Sequence, residues 1–286
     1  MNAFQADWLT LREAVDSAAR AQVLEQLLAH RLTQRETLRI VDLGCGTGSN
    51  LRHLAPRLPA RQSWHLADAD AALLNAVPER LRPWAETHGL RMEQGQGALI
   101  LTGETHRLMV ERRTVDLARD PLPRGDADLV TASALLDLVS RDWLAALAAR
   151  CAEAGAAALL TLSYDGRIAW EPGLPEDETI RTLVNRHQQG DKSFGPALGP
   201  DAHAAALAAF RAAGFTVSEA ASDWRLDAGQ AALQQHLHAG WAAAAAETDP
   251  ARLEQIHGWL AQRMDLLETG QNRVSVGHMD LLALPA

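Results

Sequence analysis

Apolar residues recur at helical spacing between Trp8 and Arg31: Leu9, Ala14, Val15, Ala18, Ala19, Val23, Leu24, Leu27 and Leu28. The residues between them are good helix formers, so this stretch predicts helix. Leu38 to Leu43 is a short apolar run that ends in glycines, the pattern of a buried strand. Helix resumes from Asn50 to Leu58, with Pro56 near its end. A second strand is expected over Ser63–Asp68 and a second helix over Ala71–Leu81, interrupted around Pro78. Ala98–Leu101, the turn Thr102–Thr105 and Arg107–Val115 read as a hairpin feeding a third core strand. Asp126–Thr131 and Ala156–Ser163 predict a fourth and a fifth strand, with a helix over Trp143–Cys151 between them.

Strands alternating with helices predict a parallel sheet covered on both faces. Tyr164 to Gly199 breaks the rhythm. It holds Pro172, Pro175, Gly190, Gly195, Pro196 and Gly199, with one short helical piece near Thr179–His187. Because it also carries Trp170 and Phe194, it reads as an insertion over the sheet edge and not as a linker. Ala202–Ala213 is an alanine-rich helix ended by Gly214. Phe215–Ala221 predicts a sixth strand and Val274–Leu282 a last one. Between them Ala228–Glu268 is helical in two pieces, broken near Asp249-Pro250.

Composition adds exclusions. The chain has 286 residues, 47% hydrophobic and 22% charged, the proportions of a folded protein with a sizeable core. No apolar run approaches a bilayer-spanning length, and Met1–Arg20 carries Asp7, Glu13 and Asp16 instead of a basic start and apolar centre. A cytoplasmic protein, neither membrane-bound nor exported, is therefore expected. Two cysteines, Cys45 and Cys151, exclude a disulfide scaffold and a cysteine-built zinc site. The net charge is −9 and the only adjacent Lys/Arg pair is Arg112-Arg113. A nucleic-acid partner needs a basic face, so a small molecule is the expected substrate.

Candidate chemistry centres on Val41-Asp-Leu-Gly-Cys-Gly-Thr-Gly-Ser-Asn50, between a strand and a helix. Glycines at 44, 46 and 48 allow a tight turn and close approach of a ligand to the backbone, and the helix start offers free N–H groups. The spacing is G-x-G-x-G. A dinucleotide fingerprint would need glycine at Ser49, and there is no phosphate loop of the G-x-x-x-x-G-K-[ST] type. Asp68 ends the second strand, 20 positions beyond Gly48. A carboxylate there can accept both ribose hydroxyls of an adenosyl ligand, or it can cap the next helix. Asp70 reads chiefly as that cap and secondarily as a ligand contact.

With these residues the chain resembles the class I S-adenosylmethionine-dependent methyltransferases. The resemblance rests on Val41–Gly48, on Asp68, on Thr114-Val-Asp-Leu117 and on Ala127–Ser133. It implies an α/β three-layer sandwich with a seven-stranded, mostly parallel sheet of order 3-2-1-4-5-7-6, strand 7 antiparallel. It also implies S-adenosylmethionine as the cofactor. Gly44, Gly46 and Gly48 would wrap its methionine portion, with Cys45, Thr47 and Asn50 in the same loop and Asp42 facing the ammonium. Asp68 would hold the ribose, Ala69 would lie on the adenine, and Asp116 and Leu117 would meet the adenine edge. Ser133 would border the methyl end. A surface acid remains the alternative for Asp116, and a small loop filler the reading of Cys45.

The acceptor leaves a fainter trace, because displacement on a sulfonium carbon asks the protein mainly to align a nucleophile and exclude water. Asp137, after the fourth strand, is a candidate base or amine-binding group, or else a solvated helix acid. The insertion offers His187 as a proton acceptor and Lys192 and Phe194 as substrate contacts, and Tyr164 and Trp224 lie near the same edge. Arg12, Asp16 and Arg20 share one helix face and can meet substrate or pair with one another. His236, His238 and His257 lack metal-binding spacing, and no metal is expected. The organisation expected is an N-terminal helical lid over 1–35, a cofactor-binding core over 36–165, an insertion covering the substrate over 166–212, and a remainder of the core over 213–286 with a helical insert between strands 6 and 7. The chain is expected to work as a monomer or homodimer. The reading is a methyltransferase for a small-molecule oxygen or nitrogen acceptor. The alternatives are a nicotinamide-dependent oxidoreductase, a non-catalytic binder of the same ligand, or a protein or RNA methyltransferase, the last disfavoured by the acidic balance.

Overall fold

In a computed structural model, which describes residues 6–120 and 126–286, the N-terminal periodicity forms two helices, α1 (Ala6–Ala19) and α2 (Gln22–Leu32). The expected single helix is broken at Arg20-Ala21 for a tertiary reason. The Ala21 amide donates to Asp280 Oδ2 at 2.9 Å, a partner that a continuous helix would not meet. The central strands then follow: β1 (Leu38–Leu43), α3 (Ser49–Leu54), β2 (Arg61–Asp68) and α4 (Ala71–Thr87). Helix α4 runs through Pro78 and Pro83 and does not stop at Pro78. Asp70 caps it, and a buried stripe of Leu73, Leu74, Val77, Leu81 and Ala85 outweighs the lost backbone bonds.

Next come β3 (Arg91–Gln94), β4 (Ala98–Thr102), β5 (Arg107–Thr114), β6 (Leu129–Ser133), α5 (Arg141–Ala154) and β7 (Ala157–Glu171). The chain closes with α6 (Asp177–Gln188), α7 (Ala202–Ala212), β8 (Phe215–Ala221), β9 (Trp224–Leu226), α8 (Ala231–Thr248), α9 (Leu253–Glu268) and β10 (Arg273–Pro285). The sheet order is β3-β4-β5-β2-β1-β6-β7-β10-β8, with β9 also on β10. The run β5-β2-β1-β6-β7 is parallel, and β10 is antiparallel to β7 and β8. The expected order 3-2-1-4-5-7-6 is therefore present as β5-β2-β1-β6-β7-β10-β8. The strand count differs: among the described residues the sheet has ten strands, not seven. The additions are β3 and β4 at one edge and the three-residue β9.

A second correction concerns the segment after Ser163. Strand β7 runs on to Glu171, paired with β10 as far as Arg273. Along it Ile168 and Trp170 are buried while Arg167, Ala169 and Glu171 are exposed, the period-2 pattern of a half-buried strand. Tyr164–Glu171 is thus sheet, not a cover over its edge.

Helices lie on both faces. One core packs α2, α3 and α4 on the sheet around Trp64, Ile40 and Leu51, and the other packs α5 and α7 around Leu147 and Phe210. A third cluster holds the β7–β10 extension against α6, α8 and α9 through Trp170, Trp241 and Trp259. Strand order reverses between β1 and β6, so a crevice opens beyond their carboxyl ends, the usual ligand position in open α/β sheets. No helix among the described residues is long and apolar enough to cross a membrane.

Candidate active site

The loop leaving β1 is built from left-handed turns: φ is +64° at Gly44, +54° at Gly46 and +82° at Gly48. Two backbone bonds hold it, Cys45 N–H to the Ala67 carbonyl at 3.2 Å and Gly48 N–H to the Cys45 carbonyl at 2.9 Å. A Cβ added at Gly46 would lie 3.0 Å from Leu9 of α1, and one at Gly44 would lie 3.2 Å from Leu135. Gly46→Ala is therefore expected to destabilise the fold by about 1–2 kcal/mol, from left-handed strain alone. The check is a lower denaturant midpoint at unchanged slope.

Two acids flank this loop. Asp68, at the end of β2, accepts from the amides of Gly46 at 2.7 Å and Asp70 at 2.9 Å. Burial raises its pKa, while these amides favour the charged form. Asp42, in β1, is fully buried. Its Oδ1 accepts from Asn50 Nδ2 at 2.7 Å, and its Oδ2 has no hydrogen-bond partner among the described residues. Burial pushes Asp42 up to about 7, against the Asn50 hydrogen bond and the Arg20 charge, and the neighbouring Asp68 adds to the rise. The Cys45 thiol is buried and held well above its usual range, so it stays protonated.

Both acids border a cavity of about 190 Å³ at the carboxyl ends of β1, β2 and β6, Asp68 half-buried and Asp42 wholly buried beside it. Of the residues singled out in the sequence, Arg12, Asp16, Asp42, Gly44, Cys45, Gly46, Asn50, Asp68, Ala69, Asp70, Asp116, Leu117, Ser133 and Phe194 line it. Asp70 is also the helix cap, accepting from Ala72 and Leu73. Asp116 accepts from Ala118 N–H at 3.0 Å, and the Leu117 carbonyl accepts from Trp143 Nε1 at 2.7 Å, which fixes the adjacent wall. Helix α1 forms the roof. Glu13 takes both Arg52 Nε and Nη2 at 2.7 Å, and Arg52 Nη1 reaches the Thr47 carbonyl. Arg12 pairs with Asp16 and lies 5.0 Å over Trp224, whose Nε1 also donates to Asp16.

Other expected residues stand outside the lining. Thr47 and Gly48 shape the loop from behind. Arg20 turns inward to Asn50. Tyr164 is buried and donates to Asn185 Oδ1 at 2.6 Å. His187 is the clearest departure: it sits between α6 and α8, with Nε2 3.0 Å from Glu247, and is not part of the cavity wall. The helix that carries it was expected; the packing of that helix on α8, which turns His187 to Glu247, was not. Asp137 lies on the short turn Leu136–Leu138 after β6. Burial raises its pKa, against the charges of Arg12 and Lys192, which face it.

The apolar lining, Leu9, Leu73, Val115, Ala134, Leu135 and Leu138, and the polar Ser49 were not anticipated. Leu73 alone carried a signal, as the first buried position after the Asp70 cap. His278 of β10 was missed as well. It is buried 5.0 Å from Trp224 and pushed down to about 3, so it is neutral. Among the described residues no group of three or more His, Cys, Asp or Glu is placed to hold a metal ion.

No protein-family model and no curated protein matches this sequence. Solved structures do. The proposed methyltransferase BH2331 from Bacillus halodurans C-125 superposes with a TM-score of 0.50 at 13% identity, over 93% of this chain and 100% of that one. The chain has a class I methyltransferase fold. At such identity the likeness establishes that fold alone. YcgJ of Bacillus subtilis (TM-score 0.48, 15% identity, 93% and 100% covered) and the geranyl diphosphate C-methyltransferase of Streptomyces coelicolor A3(2) (0.45, 12%, 93% and 81%) are also similar. Against this fold, β3, β4 and β9 are additions to the seven core strands, and the cavity lies at the core's switch point.

Proposed function

We propose that the chain is an S-adenosylmethionine-dependent methyltransferase acting on an oxygen or nitrogen of a small molecule. One observation carries the reading. A left-handed glycine loop lies between two carboxylates that border one cavity, the half-buried Asp68 fixed by backbone amides and the buried Asp42 with a bare oxygen. The bare Asp42 Oδ2 suits an ammonium and the preset Asp68 suits a ribose diol. Asp116 and Leu117 would take the adenine edge, and Ser133 the methyl end. The methyltransferase name of BH2331, on the same fold, agrees with this reading.

When bound, S-adenosylmethionine supplies an activated methyl group on a sulfonium. The chain's own residues position and enclose. Leu9, Leu135 and Leu138 exclude water, and the Arg12–Asp16 pair closes the roof above them. Asp137, with Arg12 and Lys192 facing it, would hold an acceptor amine or take a proton from an acceptor hydroxyl. Phe194, set edge-on against Trp143, would line the acceptor side.

Asp137→Asn should lower turnover while leaving S-adenosylhomocysteine affinity unchanged. If Asp137 is a base, the wild-type rate rises with pH as its proton leaves, at a pH above the ordinary carboxylate range. That limb should vanish in the variant. Normal turnover across pH would return Asp137 to a structural role. The function itself is tested by calorimetry with S-adenosylmethionine, S-adenosylhomocysteine and NAD, followed by labelled-methyl transfer to metabolite extract or to macromolecules. NAD binding without S-adenosylhomocysteine binding would overturn the proposal, as would label appearing only in macromolecules.

A further inference from the structure

We infer that Arg20 is a positioning residue for the amino-acid end of the cofactor, acting through Asn50 to present Asp42 to it. The role rests on the adenosyl reading of the cavity. Arg20 itself does not line that cavity. It sits at the α1–α2 junction, 5% exposed, where the Ala21–Asp280 bond turns the chain inward. Its Nη1 donates to Asn50 Oδ1 at 2.9 Å. Asn50 Nδ2 donates in turn to Asp42 Oδ1 at 2.7 Å and to Thr131 Oγ1 at 3.1 Å. The Thr131 hydroxyl donates to the Leu159 carbonyl at 2.8 Å, so its oxygen is left to accept.

The polarity of this chain runs one way. Arginine has donors and no acceptor, so the Asn50 end facing it must be the carbonyl. The NH₂ end is then turned to Asp42, and the network terminates in the bare Asp42 Oδ2. With no donor at position 20, the Asn50 oxygen loses its partner, and only the acceptors Asp42 and Thr131 still orient the amide. Asp42 also loses the Arg20 charge that favours its ionised form, so inversion of the amide becomes less costly. The Asn50 oxygen would then face the Asp42 carboxyl and favour the protonated acid, which cannot pair with an ammonium.

Burial of Arg20 is expensive for a packing residue. Its Nε and Nη2 make no hydrogen bond, although Nε lies 3.4 Å from Glu25 Oε1. Arg20 also faces the buried Glu25, so an apolar replacement removes one of the cations beside that carboxylate and is expected to cost stability as well. The charges around the pair are few. Arg20 and Asp68 face Asp42, and the Cys45 thiol beside it is neutral. Asp280, Glu25, Asp42 and Asp16 face Arg20.

The test compares S-adenosylhomocysteine with 5′-methylthioadenosine, which lacks the amino-acid end, by calorimetry from mildly acid to mildly basic pH. In the wild type, the preference for S-adenosylhomocysteine should strengthen as pH rises through about 7, where Asp42 loses its proton. In Arg20→Met that midpoint should move up and the preference at neutral pH should fall about fivefold or more, the effect of about one pH unit. Methylthioadenosine affinity should hold. Asn50→Leu, which breaks the same chain with Arg20 in place, should behave alike. An unchanged preference and midpoint in both variants overturns the inference while leaving the adenosyl reading intact. Equal losses for both ligands in both variants overturn it too, since Arg20 would then only support the fold. A wild-type protein that binds neither ligand removes the adenosyl reading and this role together.

Discussion

Replacing Asp68 by alanine should lower affinity for S-adenosylhomocysteine about 100-fold, or about 3 kcal/mol, with the fold retained. Two losses combine. A ligand diol loses charge-assisted hydrogen bonds, each worth about 1.5–3 kcal/mol. The amides of Gly46 and Asp70, now held at 2.7 and 2.9 Å, lose the acceptor that sets the loop. Asp68→Asn keeps one oxygen for these amides and should fall between alanine and wild type. Calorimetric titration measures all three. Unchanged affinity in the alanine variant would show that Asp68 serves the loop and touches no ligand.

The largest effect on stability is expected at Asp177→Ala. Arg263 of α9 is wholly buried beneath Trp170, with its guanidinium 5.5 Å from that ring. Its Nη2 donates to both Asp177 oxygens, at 2.6 and 2.5 Å, and Nη1 to the Pro172 carbonyl and Asn272 Oδ1. Trp259 Nε1 also donates to Asp177, at 2.8 Å. Removing this carboxylate leaves a buried cation with no opposite charge, which costs about 3–5 kcal/mol. For a chain of this size that is a fall in Tm of roughly 10 °C. Calorimetric melting provides the check. Arg263→Met made together with Asp177→Leu should recover much of the loss, because the pair itself contributes little beyond a packed apolar substitute. A single variant that melts with the wild type would mean that solvent reaches Arg263.

The glycine loop and the Asp68 side of the cavity were legible in the sequence because they are local. Glycines at alternate positions after an apolar run, and one acid at the end of the next run, specify a turn and a carboxylate without knowledge of distant contacts. That the sheet is mostly parallel was legible in the alternation of strands and helices, whereas its strand order came from the family resemblance. What stayed hidden depends on tertiary partners. The break at Ala21 needs Asp280, and the outward half of β7 needs β10 beside it. Strand β3, Arg-Met-Glu-Gln, is polar because it has one neighbour only and lies mostly exposed. His187 reads like any histidine near a glycine-rich loop, and only packing shows that it answers Glu247 on another helix.

Asp280 ties together parts of the chain that lie far apart in sequence. One of its oxygens takes the amide of Ala21 and the other that of Leu162 at 2.7 Å, at sequence separations of 259 and 118. Contacts so remote in sequence form late, because closing long loops must precede any gain from them. The junction of α1 and α2, beside the ceiling over the crevice, gains this tie only once β10 lies between β7 and β8. A chain in which β10 has not yet docked therefore lacks one tie that holds the roof of the cavity in place.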